Sequence, residues 1–146
     1  MKILIDNKDN ILYKKVIEGL KTDGLGNFNN DLTIGFFDDK ENFLGGIIFF
    51  LQNKYNAHLS IYTNTPNWCS RKILKWLYDF CFNKLKVIKI TCQASEKNKK
   101  SRDFLDMLGF RLEGTIRYDM KDGSHSFVYG LTKEEADKNK FFQQEK

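Results

Sequence analysis

The chain has 146 residues, 41% of them hydrophobic and 14% aromatic, which suffices for a packed core in one domain and excludes a disordered segment. Twenty-four basic and 19 acidic residues give a net charge of +5, with the lysines scattered rather than gathered in a run. This balance leaves two kinds of partner open, nucleic acid and a small ligand bearing several phosphates.

Three widely spaced cysteines, Cys69, Cys81 and Cys92, fit reduced thiols in a cytoplasmic protein. No Cys/His cluster has metal-ligand spacing, and His58 and His125 are the only histidines, so no metal is expected. The first residues turn polar too soon for a signal peptide, and the longest apolar run, Phe43–Leu51, is too short to span a bilayer. No membrane role is expected.

Ile3–Ile5 reads as a strand. From Lys8 to Lys21 the residues Ile11, Leu12, Val16, Ile17 and Leu20 form the apolar stripe of a helix, and Gly24–Asn30 reads as a loop. Leu32–Phe37 and Phe43–Gln52 read as a hairpin about the polar turn Asp38–Asn42. Ala57–Thr63 is a further strand, with Leu59 and Ile61 on one face and His58, Ser60 and Tyr62 on the other. Thr65-Pro66-Asn67 breaks the chain, and Pro66 suits a helix start, so a helix is expected from about Asn67 to Lys84. Val87–Cys92 reads as a buried strand and Glu96–Leu108 as a helix closed by Gly109. Phe110–Met120 and Ser126–Leu131 read as strands joined through the hairpin signal Asp122-Gly123. The polar stretch from Thr132 is a helix or a frayed end. The order β-α-β-β-β-α-β-α-β-β predicts a mixed sheet covered by helices, an α/β class. The expected organisation is one domain over residues 1–131 and a charged tail over 132–146.

Residues Asn98 to Phe110 carry the most specific pattern. Asn98, Ser101, Leu105, Leu108, Gly109 and Phe110 stand at the spacing Asn-x-x-Ser-x-x-x-Leu-x-x-Leu-Gly-Phe, and Glu113, Gly114 and Arg117 extend it. The segment resembles the corresponding part of GNAT-superfamily acetyltransferases, and its extension resembles the ribosomal-protein N-terminal acetyltransferase branch. Val128–Leu131 stands where that branch has its last strand, and Trp68–Ile90 is similar to small bacteriophage members. The resemblance spans roughly Leu32 to Leu131.

The resemblance implies a central mixed sheet of six or seven strands, splayed in the middle, and acyl transfer from acetyl-CoA or another acyl-CoA to an amine. It places the pantetheine arm along the edge Ile61–Asn64, with Ile61 and Thr63 as backbone contacts. The diphosphate falls at the next helix start, at Asn67, Trp68, Cys69 and Ser70, with Arg71 and Lys72 adding charge. Free N–H groups and the helix dipole favour anions there. Asn98, Ser101 and Arg102, with Lys99 and Lys100 beside them, complete the implied cofactor set; Lys99 and Lys100 read equally as a solvated helix face.

The chain also departs from the family pattern. The phosphate-loop motif Arg/Gln-x-x-Gly-x-Gly/Ala falls on Thr65, Trp68 and Ser70, so both glycines are absent. Trp68 implies another loop conformation or weaker cofactor binding, and reads better as a core or substrate-wall residue than as a phosphate contact. The family's strand glutamate, its catalytic base, matches His58; its helix tyrosine, the acid, matches Leu105; and an aspartate of the related branch matches Ser126. Neutral imidazole accepts a proton near pH 7, so His58 is the candidate base, with Ser60 and Tyr62 on its face as relay or orienting groups. The other reading of His58 is a satisfied polar residue on the sheet. Cys69 at the expected helix start favours a thiolate, although no histidine stands at a partner's spacing. Two further readings stay open: a catalytically inactive module of the same fold that binds CoA or a protein, and a nucleic-acid binder using Tyr55, Tyr62 and Tyr118, which otherwise read as sheet residues. The acceptor is a protein or small-molecule amine, the protein a monomer or dimer, and its place the cytoplasm, the host's if a phage encodes it.

Overall fold

The computed structural model describes residues 2–5, 15, 31–63 and 70–142. The expected helix over 8–21, apart from the helical Lys15, the loop Gly24–Asn30 and the break at Thr65–Asn67 lie outside them. The described strands are β1 (Lys2–Ile5), β2 (Asp31–Phe37), β3 (Phe43–Leu51), β4 (Asn56–Thr63), β5 (Lys89–Ser95), β6 (Arg111–Ile116) and β7 (Ser126–Thr132). The helices are α1 (Arg71–Tyr78), which continues as a π-helical segment Asp79–Lys84, α2 (Lys99–Met107) and α3 (Lys133–Lys138). The class is mixed α/β, as the element order implied. The chain divides into two compact units, one of Met1–Leu51 with Leu59–Cys69, the other of Gln52–His58 with Ser70–Lys146.

In the first unit β1 pairs antiparallel with β2, and β2 with β3. The turn between β2 and β3 closes on Asp38, whose Oδ1 accepts the N–H groups of Lys40 and Asn42 at 2.9 Å each. These bonds favour the charged form and hold the Asp38 carboxyl below its usual range. Ile34, Phe36, Ile47 and Phe49 are buried and make the core of this unit.

In the second unit the start of β4 (Asn56–His58), β5, β7 and β6 are successive neighbours. β5 pairs antiparallel with β7, and β7 with the edge strand β6. β4 reaches β5 through α1, the crossover that a parallel pair requires, so the sheet is mixed. The core gathers Ile73, Leu74 and Leu77 of α1, Ile90 and Cys92 of β5, Leu105 and Leu108 of α2, and Tyr129 and Leu131 of β7. Burial pushes the Cys81 thiol up and the Cys92 thiol to about 12, so both pack as small apolar groups, neutral at physiological pH.

Among the boundaries that differ from expectation, two bear on the site. Helix α1 starts at Arg71, not near Asn67, because Ser70 is extended and its Oγ accepts the Ile73 N–H at 3.3 Å. β6 ends at Ile116 rather than Met120, because Tyr118 has φ +54° and gives its N–H to His125 Nδ1 at 2.8 Å instead of a ladder partner. Tyr118 therefore sits in a turn, 77% exposed; Tyr55 sits in the bend before β4, 53% exposed, and only Tyr62 of the three tyrosines lies in a strand. After β7, Lys133–Lys138 is helical because Thr132 and Glu135 form a reciprocal capping box.

The end of α2 follows its sequence signal closely. Gly109 has φ +90°, its N–H bonds the Asp106 carbonyl, and Phe110 N–H bonds the Leu105 carbonyl, each at 3.0 Å. A Cβ on Gly109 would also meet Asn139 Nδ2 at 3.0 Å. We expect Gly109→Ala to cost about 1–2 kcal/mol, the left-handed penalty for a side chain. A urea midpoint unchanged from the parent would show that the cap relaxes freely.

Among the described residues no helix is long and apolar enough to cross a membrane.

Candidate active site

The sequence-derived site residues fall into three groups. Asn67, Trp68 and Cys69 lie outside the described residues. Ser60, Ile61, Tyr62 and Thr63 belong to β4 in the first unit; Ser60 is exposed, and Ile61 and Tyr62 are partly buried. His58, Ser70, Arg71, Lys72, Asn98, Ser101 and Arg102 all belong to the second unit.

Two helix starts in that unit have the chemistry of anion sites. The first turn of α1 holds Arg71 and Lys72 and no acid, with Ser70, Arg71 and Lys72 all exposed. The first turn of α2 likewise has no acid, and Asn98 caps it by accepting the Ser101 N–H at 3.1 Å. First-turn amides lack intrahelical acceptors, and the dipole adds partial positive charge. Lys99 is tied to Asp103 at 2.6 Å, one turn along α2, as a solvated helix pair would be.

Arg102 takes a different role from its neighbours. Its guanidinium lies over the Phe127 ring, 5.3 Å from the centroid. Its Nε is buried and finds no hydrogen-bond partner among the described residues. An orphaned cationic N–H near a cationic helix start suits an anionic ligand. Charge and donor type in this unit therefore fit a phosphate-bearing cofactor.

His58 stands on the polar face of β4. Ala57 and Leu59 are buried on the opposite face, while His58 is half-buried. Asn56, two residues back on the same face, accepts the Thr91 hydroxyl of β5 at 2.8 Å. Burial, and secondly the Lys89 ammonium, hold the His58 imidazole below its ordinary value. At pH 7 it is a neutral proton acceptor.

Lys89 was not foreseen in the sequence. Its ammonium pairs with Glu113 Oε1 at 2.5 Å. Glu113 reaches it because the register of β6 against β7 shifts between Leu112 and Gly114. Gly130 leaves the room: a Cβ there would meet Glu113 Oε2 at 2.3 Å and Lys89 Cε at 2.7 Å. Glu113 and Gly114 were visible in the sequence as motif letters, but the bulge they form was not.

The connection from β6 to β7 holds polar contacts that its hairpin signal at Asp122-Gly123 does not reveal. Ser126, fully buried, donates to Asp119 Oδ2 at 2.8 Å, and the Tyr118 and His125 rings meet edge-on at 4.8 Å. By register Ser126 lies opposite Ser95, at the end of β5 that leads to Asn98. Leu105, where the resemblance implied a tyrosine acid, is buried in the core.

No protein-family model and no curated protein matches the chain. Solved structures do match it. A chimera of spermidine N-acetyltransferase SpeG from Vibrio cholerae and hSSAT superposes with a TM-score of 0.74 at 13% identity, covering 93% of this chain and 99% of that one. Spermidine N-acetyltransferase from Vibrio cholerae, in complex with CoA and spermine, gives 0.70 at 13% identity, over 92% and 96% of the two chains. The Vibrio cholerae spermidine/spermine N-acetyltransferase SpeG, in complex with manganese ions, gives 0.66 at 13% identity, over 90% and 92%. The chain thus has the fold of these acetyltransferases over nearly its whole length, the α/β fold implied by the Asn98–Arg117 resemblance.

Proposed function

We propose that this protein is an N-acyltransferase that moves an acetyl or other acyl group from acyl-CoA to an amine. The observation that carries this reading is a near-complete fold match to acetyltransferases, one of them solved with CoA and spermine, in a chain that also holds the Asn98–Arg117 pattern. The cationic first turns of α1 and α2 support it.

In this reading Asn67, Trp68, Cys69, Ser70, Arg71 and Lys72 form the diphosphate turn. Asn98, Ser101 and Arg102 hold the rest of the nucleotide end, and Ile61 and Thr63 offer backbone groups to the pantetheine arm. His58 takes the proton of the attacking amine. The nitrogen bonds the thioester carbonyl carbon, the carbon–sulfur bond breaks, and CoA leaves as its thiolate, which takes a proton from solvent while His58 gives its own back to solvent. Ser60 and Tyr62 orient the acceptor or a relaying water. The acceptor is an amine on a small molecule or a protein. The setting in this reading is the cytoplasm, where thiols such as the buried, unpaired Cys81 and Cys92 stay reduced.

Titration calorimetry with acetyl-CoA, together with thiol release over a panel of spermine, lysine peptides and α-amino peptides, tests the reading. Binding with turnover on one panel member is the expected result. Absence of coenzyme heat overturns it, and binding without turnover on any amine turns it into a CoA-binding module. The double variant Arg71→Glu, Lys72→Glu places two negative charges at the α1 start. It is expected to weaken acetyl-CoA binding about 10- to 100-fold, less at high salt. Unchanged affinity would remove the α1 start from the site.

A further inference from the structure

The Lys89–Glu113 pair is more elaborately built than an ordinary surface ion pair. Its side chains are only 29% and 38% exposed. It needs a strand bulge to aim Glu113 and a side-chain-free Gly130 beneath it. It also stands on the face that carries His58. Lys89 and Thr91 alternate onto one face of β5, Asn56 and His58 onto one face of β4, and the Thr91–Asn56 hydrogen bond joins those faces. The Lys89 N–H bonds the Tyr55 carbonyl at 3.0 Å, which fixes the start of β5 against β4.

We propose that Lys89, held in place by Glu113, is a positioning residue that keeps an ammonium on the face of His58, the group that receives the acceptor's proton. This rests on the reading of His58 as the base.

The charged groups facing His58 within this unit are few. β5 supplies Lys89 and β6 supplies Glu113. β7 presents Gly130 and Val128 at the matching positions, neither charged. Arg111 is drawn away to Glu135 at 2.6 Å. Among the described residues Lys89 is the charged group that acts on the His58 titration, second to burial, and it disfavours the imidazolium. Without Glu113 the lysine stem would swing into solvent, as free lysines do, and the effect would be lost.

The experiment is an NMR titration of the His58 ring in the parent, Lys89→Met, Lys89→Arg and Glu113→Gln proteins, with kcat/KM profiles beside it. In Lys89→Met the midpoint is expected to rise by roughly half a pH unit or more, because a like charge has gone. The acid limb of kcat/KM should rise with it, and Lys89→Arg should restore both. In Glu113→Gln the midpoint should also rise as the ammonium leaves the face. A His58 midpoint in folded Lys89→Met equal to that of the parent overturns the proposal. The titration needs no coenzyme, so a failure to bind acetyl-CoA would sink the acyltransferase reading and leave this result standing.

Discussion

Replacing His58 by alanine is expected to lower kcat/KM about 10²- to 10⁴-fold, the usual contribution of a positioned general base, and to leave acetyl-CoA affinity near that of the parent. An amine attacks only as the free base, and its proton must go to a group that is unprotonated at working pH. His58 meets that condition because burial and Lys89 both resist the imidazolium. The direction fixes the pH dependence. A base with a depressed titration is active above its midpoint, so the parent keeps its rate at pH 7 and loses it only below the ordinary histidine value of about 6.5. His58→Ala should show no such limb. The same shift acts on stability: the unfolded chain takes up this proton first as pH falls, so His58 disfavours the fold progressively below about 6.5 and has no effect above it. Steady-state thiol release from pH 5 to 9 reads the rate. A variant within about threefold of the parent, with an unmoved acid limb, would return His58 to the role of a sheet-face residue.

How far the sequence announced this site depends on the range of the interaction involved. Strands β2 and β3 announced themselves by apolar runs on either side of a polar turn, and α2 by its apolar face and Gly109, since those signals are local. His58 was visible because strand periodicity places it opposite Leu59. Lys89 and Glu113 were not, being 24 residues apart and joined only once β5, β7 and β6 lie side by side. The bulge that aims Glu113 is likewise a property of pairing, not of the strand alone. The α1 start was misplaced for a different reason: proline and serine are both helix-start residues, and Ser70 prevails because its hydroxyl reaches Ile73 N–H. The β6 end was overrun because Tyr118 and His125 hold a turn that a run of strand-forming residues conceals.

Leu105 yields the clearest separation of packing from chemistry. It occupies the position at which the resembling family carries a tyrosine acid, yet it is only 3% exposed and its carbonyl closes the cap of α2. Truncation to alanine is expected to cost about 2–5 kcal/mol, the transfer of the side chain plus the cavity it leaves. Leu105→Tyr is expected to cost about 1–3 kcal/mol through overpacking and to bring no rate, since the added hydroxyl enters a closed core. Urea unfolding measures the first, and kcat/KM of the tyrosine variant measures the second. If Leu105→Ala stays within about 1 kcal/mol of the parent, α2 packs less tightly than the burial implies. If Leu105→Tyr speeds the reaction, the position retains access to the reacting atoms, and the leaving thiolate takes its proton from a side chain. If it does not, Leu105 is a packing residue only, and a thiol near the ordinary cysteine range is acidic enough to leave without an acid at this position. A single base at His58 then suffices for the chemistry.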